Sequence, residues 1–174
     1  MQYKKLLILR LSGTTEWKNE KEMCVPDDII KNYSSATMTC EFLDDGEYIL
    51  RGFYKNGNIY WKSFYKNREQ HVKSLGWWEN GQQRWAMDFK DYKQHGKHIH
   101  WHENGYKWWE AEFQNGRMHG KYIRWFDSGN KYWERGYQND RLHGKNIEWS
   151  EDGEIVLEDE YCDGVLVTSF GRAV

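Results

Sequence analysis

From about Phe42 onward, apolar and polar side chains alternate with a period of two, and Asp-Gly, Asn-Gly and Ser-Gly steps interrupt the alternation at regular intervals. A period of two, carried mainly by aromatic and β-branched residues, predicts strands rather than helices. Asn-Gly and Asp-Gly accept the positive φ of tight hairpin turns, so the segments on either side pair with each other. In the stretch 106–129, Tyr106 to Phe113 reads as one strand and Gln114 to His119 as a turn. Gly120 to Phe126 reads as the second strand, and Asp127-Ser128-Gly129 turns into the next unit.

The units repeat. The turn glycines Gly57, Gly81, Gly105, Gly129 and Gly153 are spaced 24 residues apart, and so are Trp77, Trp101, Trp125 and Trp149. Trp61, Trp85, Trp109 and Trp133 keep the same interval, as do Tyr65, Phe89, Phe113, Tyr137 and Tyr161. Independent residue classes sharing one period are the signature of a repeat array in which each unit buries its apolar surface against its neighbours. The predicted fold is all-β: an elongated, single-layer antiparallel meander of 24-residue β-hairpin repeats. Alternation places Trp109, Ala111 and Phe113 on one side of their strand and Trp108, Glu110 and Glu112 on the other. Extended over all copies, the expected buried face carries Trp85, Met87, Phe89, Ile99, Trp101, Trp109, Phe113, Ile123, Trp125, Trp133, Tyr137, Ile147 and Trp149.

Residues 1–41 stand outside the period and read as an irregular N-terminal cap, with a strand from Tyr3 to Leu11, a loop to Glu22 and a short helix from Pro26 to about Tyr33. Thr37 to Leu43 reads as a further strand, residues 42–164 as the repeat array, and 165–174 as a C-terminal capping strand and tail. An uncapped array exposes a strand edge that templates aggregation, which is the physical reason to expect caps.

Composition narrows the function. The formal net charge is −2 with both signs interspersed, so no basic stripe for duplex nucleic acid is present. Cys24, Cys40 and Cys162 are widely separated with no CxxC spacing, which fits a reducing, cytoplasmic setting better than a disulfide framework. No window approaches the ~20 apolar residues of a membrane span. The N-terminal apolar run is broken at Arg10, too early for a signal-peptide core.

The segments ENGYKWWEAEFQNGRMHGKYIRW (103–125) and DSGNKYWERGYQNDRLHGKNIEW (127–149) resemble MORN repeats, in the variant form of bacterial and large-virus proteins often labelled antitoxin-type. The likeness rests on the turn Gly, the aromatics four and eight residues beyond it, and the pairs His95-Gly96, His119-Gly120 and His143-Gly144, over residues 52–164. It departs in using Trp where Tyr is frequent. It also departs in the first copy, which has His71-Val72 in place of the His-Gly pair, so irregular pairing is expected near residues 66–75. The resemblance implies stacked hairpins, no catalytic residues, and roles as scaffold, dimerisation device or binder, with an antitoxin-like or defence-countering inhibitor among them.

Candidate chemistry is sparse. The sequence has no GxSxG, no HExxH and no phosphate-cradling glycine loop, so an enzyme is not expected. Glu110, Glu112, Glu134 and Asp88 read as members of cross-strand ion pairs. The histidines of the His-Gly pairs read as turn-fixing side chains bonded to backbone. His98, His100 and His102 are at i, i+2, i+4 and face one side, expected opposite the buried rings. They are weak candidates for zinc, with Glu110 or Glu112 as a third ligand, and no cofactor is assigned. Trp78, Arg84, Tyr106, Trp108, Arg124, Phe126 and Tyr132 are expected on the outer face. With Lys107 they form a candidate recognition surface for another protein or, in an alternative reading, for a nucleotide or other anionic metabolite. Self-association through the open last hairpin, Glu154 to Phe170, is the third possibility.

Overall fold

The computed structural model describes residues 6–9, 37–43, 46–66 and 69–171. These form one antiparallel sheet of 13 strands in strictly sequential order, an open meander with β1 and β13 at its edges. The strands are β1 (Leu6–Leu9), β2 (Thr37–Phe42), β3 (Glu47–Phe53), β4 (Ile59–Lys66), β5 (Glu69–Trp77), β6 (Gln83–Lys90), β7 (Lys93–Trp101), β8 (Lys107–Gln114), β9 (Arg117–Trp125), β10 (Lys131–Gln138), β11 (Arg141–Trp149), β12 (Ile155–Cys162) and β13 (Val165–Phe170). No helix among the described residues is long and apolar enough to cross a membrane. The expected loop to Glu22 and the helix near Pro26 lie outside the described residues, whereas β1 and β2 continue the sheet.

Two alternating turns build each copy. One is the expected glycine turn, in which the Gly105 amide donates to His102 O and the His102 amide to Tyr106 O. The other is shorter than Gln114 to His119: only Asn115 and Gly116 turn, both with positive φ, and β9 begins at Arg117. Asn139-Asp140 and Asp163-Gly164 repeat this geometry. The turn is compact because the His-Gly pair is absorbed into the strand as a bulge. Between Ala111↔Tyr122 and Phe113↔Met118, two residues of β8 span four of β9. Gly96, Gly120 and Gly144 each take a positive φ there. In the first copy Val72 occupies this position at φ 69°. The expected irregularity is therefore borne by one residue: β4 and β5 keep their pairing on both sides of it, Ser63↔Ser74 and Tyr65↔Gln70. A left-handed β-branched residue costs roughly 1–2 kcal/mol.

The register overturns the single buried face expected from alternation. Trp109 pairs with His100 on one side and Arg124 on the other, whereas Ile99 and Ile123 flank Glu110. Ile99, Trp101, Ile123, Trp125, Ile147 and Trp149 therefore lie on the face opposite Trp85, Trp109 and Trp133. Both faces are partly apolar, because the described residues form a single layer with no second sheet among them to hide either face. The face bearing Trp61, Trp85, Trp109 and Trp133 is here termed the ring face, and the other the ion-pair face.

Candidate functional site

On the ring face, cross-strand neighbours form continuous rows. One runs Gly52, Trp61, Gly76, Trp85, His100, Trp109, Arg124, Trp133, Glu148 and Leu157 from β3 to β12. The glycines are functional absences: a Cβ on Gly52 would run into the Trp61 ring, and one on Gly76 into Trp85. The Trp61 and Trp85 rings thus fill the space above those two glycines, and Trp61 and Trp133 are buried.

A second bulge, at the other end of the strands, shapes the rim of this face. Pairing jumps from Gly76↔Trp85 to Trp77↔Gln83, from His100↔Trp109 to Trp101↔Lys107, and from Arg124↔Trp133 to Trp125↔Lys131. Arg84, Trp108 and Tyr132 are the extra residues. Tyr60 and Val156 hold the same place in the first and last copies. A bulge re-aims its extra side chain, and here it turns these residues to the ring face beside the first residue of each glycine turn. Tyr54 packs edge-on against Tyr60 at 5.0 Å, while His102 meets Trp108 at 5.7 Å and Phe126 meets Tyr132 at 4.8 Å with their rings tilted by 42°. The Arg84 guanidinium sits over Trp78 at 4.3 Å. Arg124 reaches across copies, 5.8 Å from the Trp108 ring and 5.9 Å from Tyr132.

Of the seven residues predicted for recognition, six lie on the ring face rather than opposite it, in two contacting groups: Trp78 with Arg84, and Trp108, Arg124, Tyr132 and Phe126. Trp78, Arg84, Trp108, Arg124, Phe126 and Tyr132 form its rim. Tyr106 is exposed in the turn near Gly129 and stands apart from them. Lys107 is on the ion-pair face, over Trp125 at 5.2 Å. Sequence reasoning missed Tyr54 and Tyr60, although the 24-residue interval to Trp78 and Arg84 marks them. The rim is held in place by its own periodicity. The Tyr54 hydroxyl donates to Trp77 O and the Trp78 indole to Trp101 O, each bonding the following copy. Asn58, Asn80 and Asn130 amides likewise donate to Glu79 O, Glu103 O and Glu151 O.

The electrostatics of the rim are unbalanced. Arg84 and Arg124 pair with no carboxylate among the described residues; their positive charge rests on ring faces, an attraction of about 0.5–1 kcal/mol where exposed. On the ion-pair face the opposite holds. Glu110 accepts from Lys107 at 2.5 Å and Lys97 at 3.5 Å, and Glu134 from Lys121 and Lys131, both at 2.6 Å. Burial alone raises the pKa of Glu110 and Glu134, but the lysine hydrogen bonds and charges outweigh it and hold both carboxyls below their ordinary value.

The histidine cluster also belongs to the ring face, not opposite the rings as expected. His100 stacks on Trp109 at 4.4 Å, and His98 meets the same ring edge-on at 4.6 Å. His98 Nε2 lies 3.1 Å from His100 Nε2, and Gln94 Nε2 lies 3.4 Å from His98 Nδ1. With the amide donating to Nδ1, His98 carries its proton on Nε2 and donates it to His100. Burial, then the neighbouring His100, pushes His98 down to about 4, and burial with the Arg84 charge lowers His100, so the pair is neutral near pH 7. The zinc constellation does not assemble as expected. Glu110 and Glu112 project from the other face, His102 lies 3.1 Å from Asp127, and no three His, Cys, Asp or Glu side chains converge among the described residues.

Of the His-Gly histidines, His143 Nδ1 accepts from the Asp163 amide at 3.4 Å, the turn-fixing role expected. His95 Nδ1 and His119 Nδ1 are buried without a hydrogen-bond partner among the described residues, so the role does not extend to them. Both line an open cavity of about 420 Å³ with Glu112, Phe113 and Gln114.

Comparison with known protein families finds no matching model, and comparison with curated proteins finds no significant relative.

Proposed function

We propose that the chain is a non-catalytic, MORN-like repeat scaffold that binds another protein through the rim of its ring face. The observation that carries this reading is the pair Arg84 and Arg124: two guanidiniums seated among half-buried and exposed rings, without a carboxylate partner among the described residues, on a sheet whose other face pairs its carboxylates with lysines. Unpaired arginines beside aromatic anchors are the composition of interaction hot spots, where a few residues carry most of the affinity. A rigid array spaces them, and the residues that differ between copies set specificity. An antitoxin-like inhibitor of a protein target is one role that such a surface serves.

A paired experiment tests the reading. A display library of folded domains and linear peptides, selected against the wild-type chain, is expected to yield ligands that lose at least tenfold in affinity for Trp108→Ala and for Arg124→Gln. A thermal-shift screen against nucleotides and anionic metabolites is expected to give no stabilisation. A shift following RT ln(1 + [L]/Kd) with one metabolite class, abolished by Arg124→Gln, would instead assign the rim to a small anionic ligand.

A further inference from the structure

Resting on that reading, we infer that the segment recognised by the rim is a proline-rich stretch in the polyproline II conformation, carrying acidic residues. Three observations fix its chemistry. The first is spacing. One copy contributes two strands, and strands lie about 4.8 Å apart, so equivalent rim groups recur at about 9.6 Å. A polyproline II helix advances about 3.1 Å per residue with three residues per turn, so every third residue faces the same way at intervals of about 9.3 Å. A peptide laid across the strands therefore presents one residue to each copy. A fully extended chain, at about 3.3 Å per residue and with alternating sides, would present successive third residues to opposite sides.

The second observation is the surface offered at each step. Tyr54 with Tyr60, Trp78 with Arg84, His102 with Trp108 and Phe126 with Tyr132 form four consecutive ring-walled stations. Aromatic-lined grooves recognise proline in this conformation because the ring of proline packs flat on them and the helix has little entropy left to lose. The row stops in the last copy, where Ser150 and Val156 hold the two positions, so the occupant spans four stations, about ten residues.

The third is charge. Arg84 belongs to this row and Arg124 lies beside it, 5.8 Å from Trp108 and 5.9 Å from Tyr132; neither has a carboxylate partner among the described residues, so the residues between the prolines are Asp or Glu. A basic proline-rich segment would place like charges against them.

The test uses fluorescence anisotropy with three labelled ten-residue peptides and the full chain. The first has proline at every third position with Glu between, the second has the same composition with the prolines displaced from the period, and the third keeps the period but carries Lys in place of Glu. The first is expected to bind at least tenfold more tightly than either other, and to weaken at least tenfold with Trp108→Ala and with Arg124→Gln, each shown by circular dichroism to stay folded. Equal affinity for the displaced-proline peptide overturns the inference. So does failure of the periodic acidic peptide while the selected ligands lack periodic proline yet depend on Trp108 and Arg124; the protein-binding reading then survives. Failure of every peptide, together with selected ligands indifferent to both substitutions, overturns both.

Discussion

The two faces of this sheet are built from the same strands, with the same period, and they close their interactions differently. On the ion-pair face, Ile99, Ile123 and Ile147 alternate with Glu110, Glu134 and Glu158, and the lysines of neighbouring strands neutralise each carboxylate. These three carboxylates are thereby closed. The ring face stacks indoles, phenols and imidazoles around Arg84 and Arg124, which have no carboxylate partner among the described residues. Both arrangements cover backbone with side chains in the single layer that the described residues form, but the ring face leaves Arg84 and Arg124 among rings without a carboxylate, whereas the ion-pair face closes its carboxylates on lysines and leaves Lys62 over Phe64 at 4.8 Å in the first copy. In a one-layer fold, burial alone does not separate stabilising positions from recognition positions; the completeness of the local charge pairing does.

The largest separation between the faces is expected in their contributions to stability. Trp133, buried between Tyr122 at 4.5 Å and the Arg135 guanidinium at 4.4 Å, is expected to lose about 3–5 kcal/mol on Trp133→Ala, measured by urea unfolding. A loss below about 1 kcal/mol would mean that the ring rows do not hold the sheet. On the ion-pair face, Glu110→Gln keeps shape and removes charge from a buried carboxylate that two lysines share. Charge-assisted hydrogen bonds of this kind contribute about 1.5–3 kcal/mol, so a loss in that range is expected.

Acid separates the faces by pH window. The folded pKa of His98 is depressed to about 4 from 6.5, so the unfolded chain binds the extra proton first. Stability from the neutral His98 and His100 pair is complete above about pH 6.5 and declines as pH falls toward 4. Glu110 and Glu134 are depressed carboxyls: their contribution is present above their ordinary value and is lost only as pH falls through their lower folded values. Unfolding free energy is therefore expected to decline in two stages, the ring face first, with His98→Phe flattening the upper stage and Glu110→Gln the lower. A single stage below pH 4, unchanged by His98→Phe, would refute the neutral pair.

The sequence made the period and the glycine turns legible, because each is a local signal repeated several times, and the terminal strand legible as one short run rich in β-branched and apolar residues. It misassigned the faces for a physical reason. Trp108 and Trp109 are adjacent and would point oppositely in a regular strand, but the rim bulge turns both to the ring face. Ile123 and Trp125 recur with the same period as Trp109, and a common period cannot say whether two residues share a face. That depends on register, set here by the two-residue turn at Asn115-Gly116 and the bulge at His119-Gly120. The same slip placed His98 and His100 opposite the rings and gave them Glu110 and Glu112 as companions. Turn glycines announce themselves in sequence; a bulge inside a strand does so only when a glycine marks it, and Trp108 and Tyr132 carry no such mark.

The smallest effect is the sharpest for the comparison. Arg124 lies 5.8 Å from Trp108 and 5.9 Å from Tyr132, with no hydrogen bond to either, so its stabilising role is a partly solvated cation–π contact. Arg124→Gln keeps the aliphatic stem and removes the charge. The expected change in unfolding free energy is about 0.5 kcal/mol, the scale of exposed cation–π contacts and surface substitutions. A residue that matters little to folding yet governs binding identifies a recognition surface. A residue whose loss costs as much as that of Glu110 would be part of the fold's own charge pairing, and the distinction between the two faces would fall. Urea unfolding of wild-type, Arg124→Gln and Glu110→Gln, at one pH near 7 and one salt concentration, decides between them.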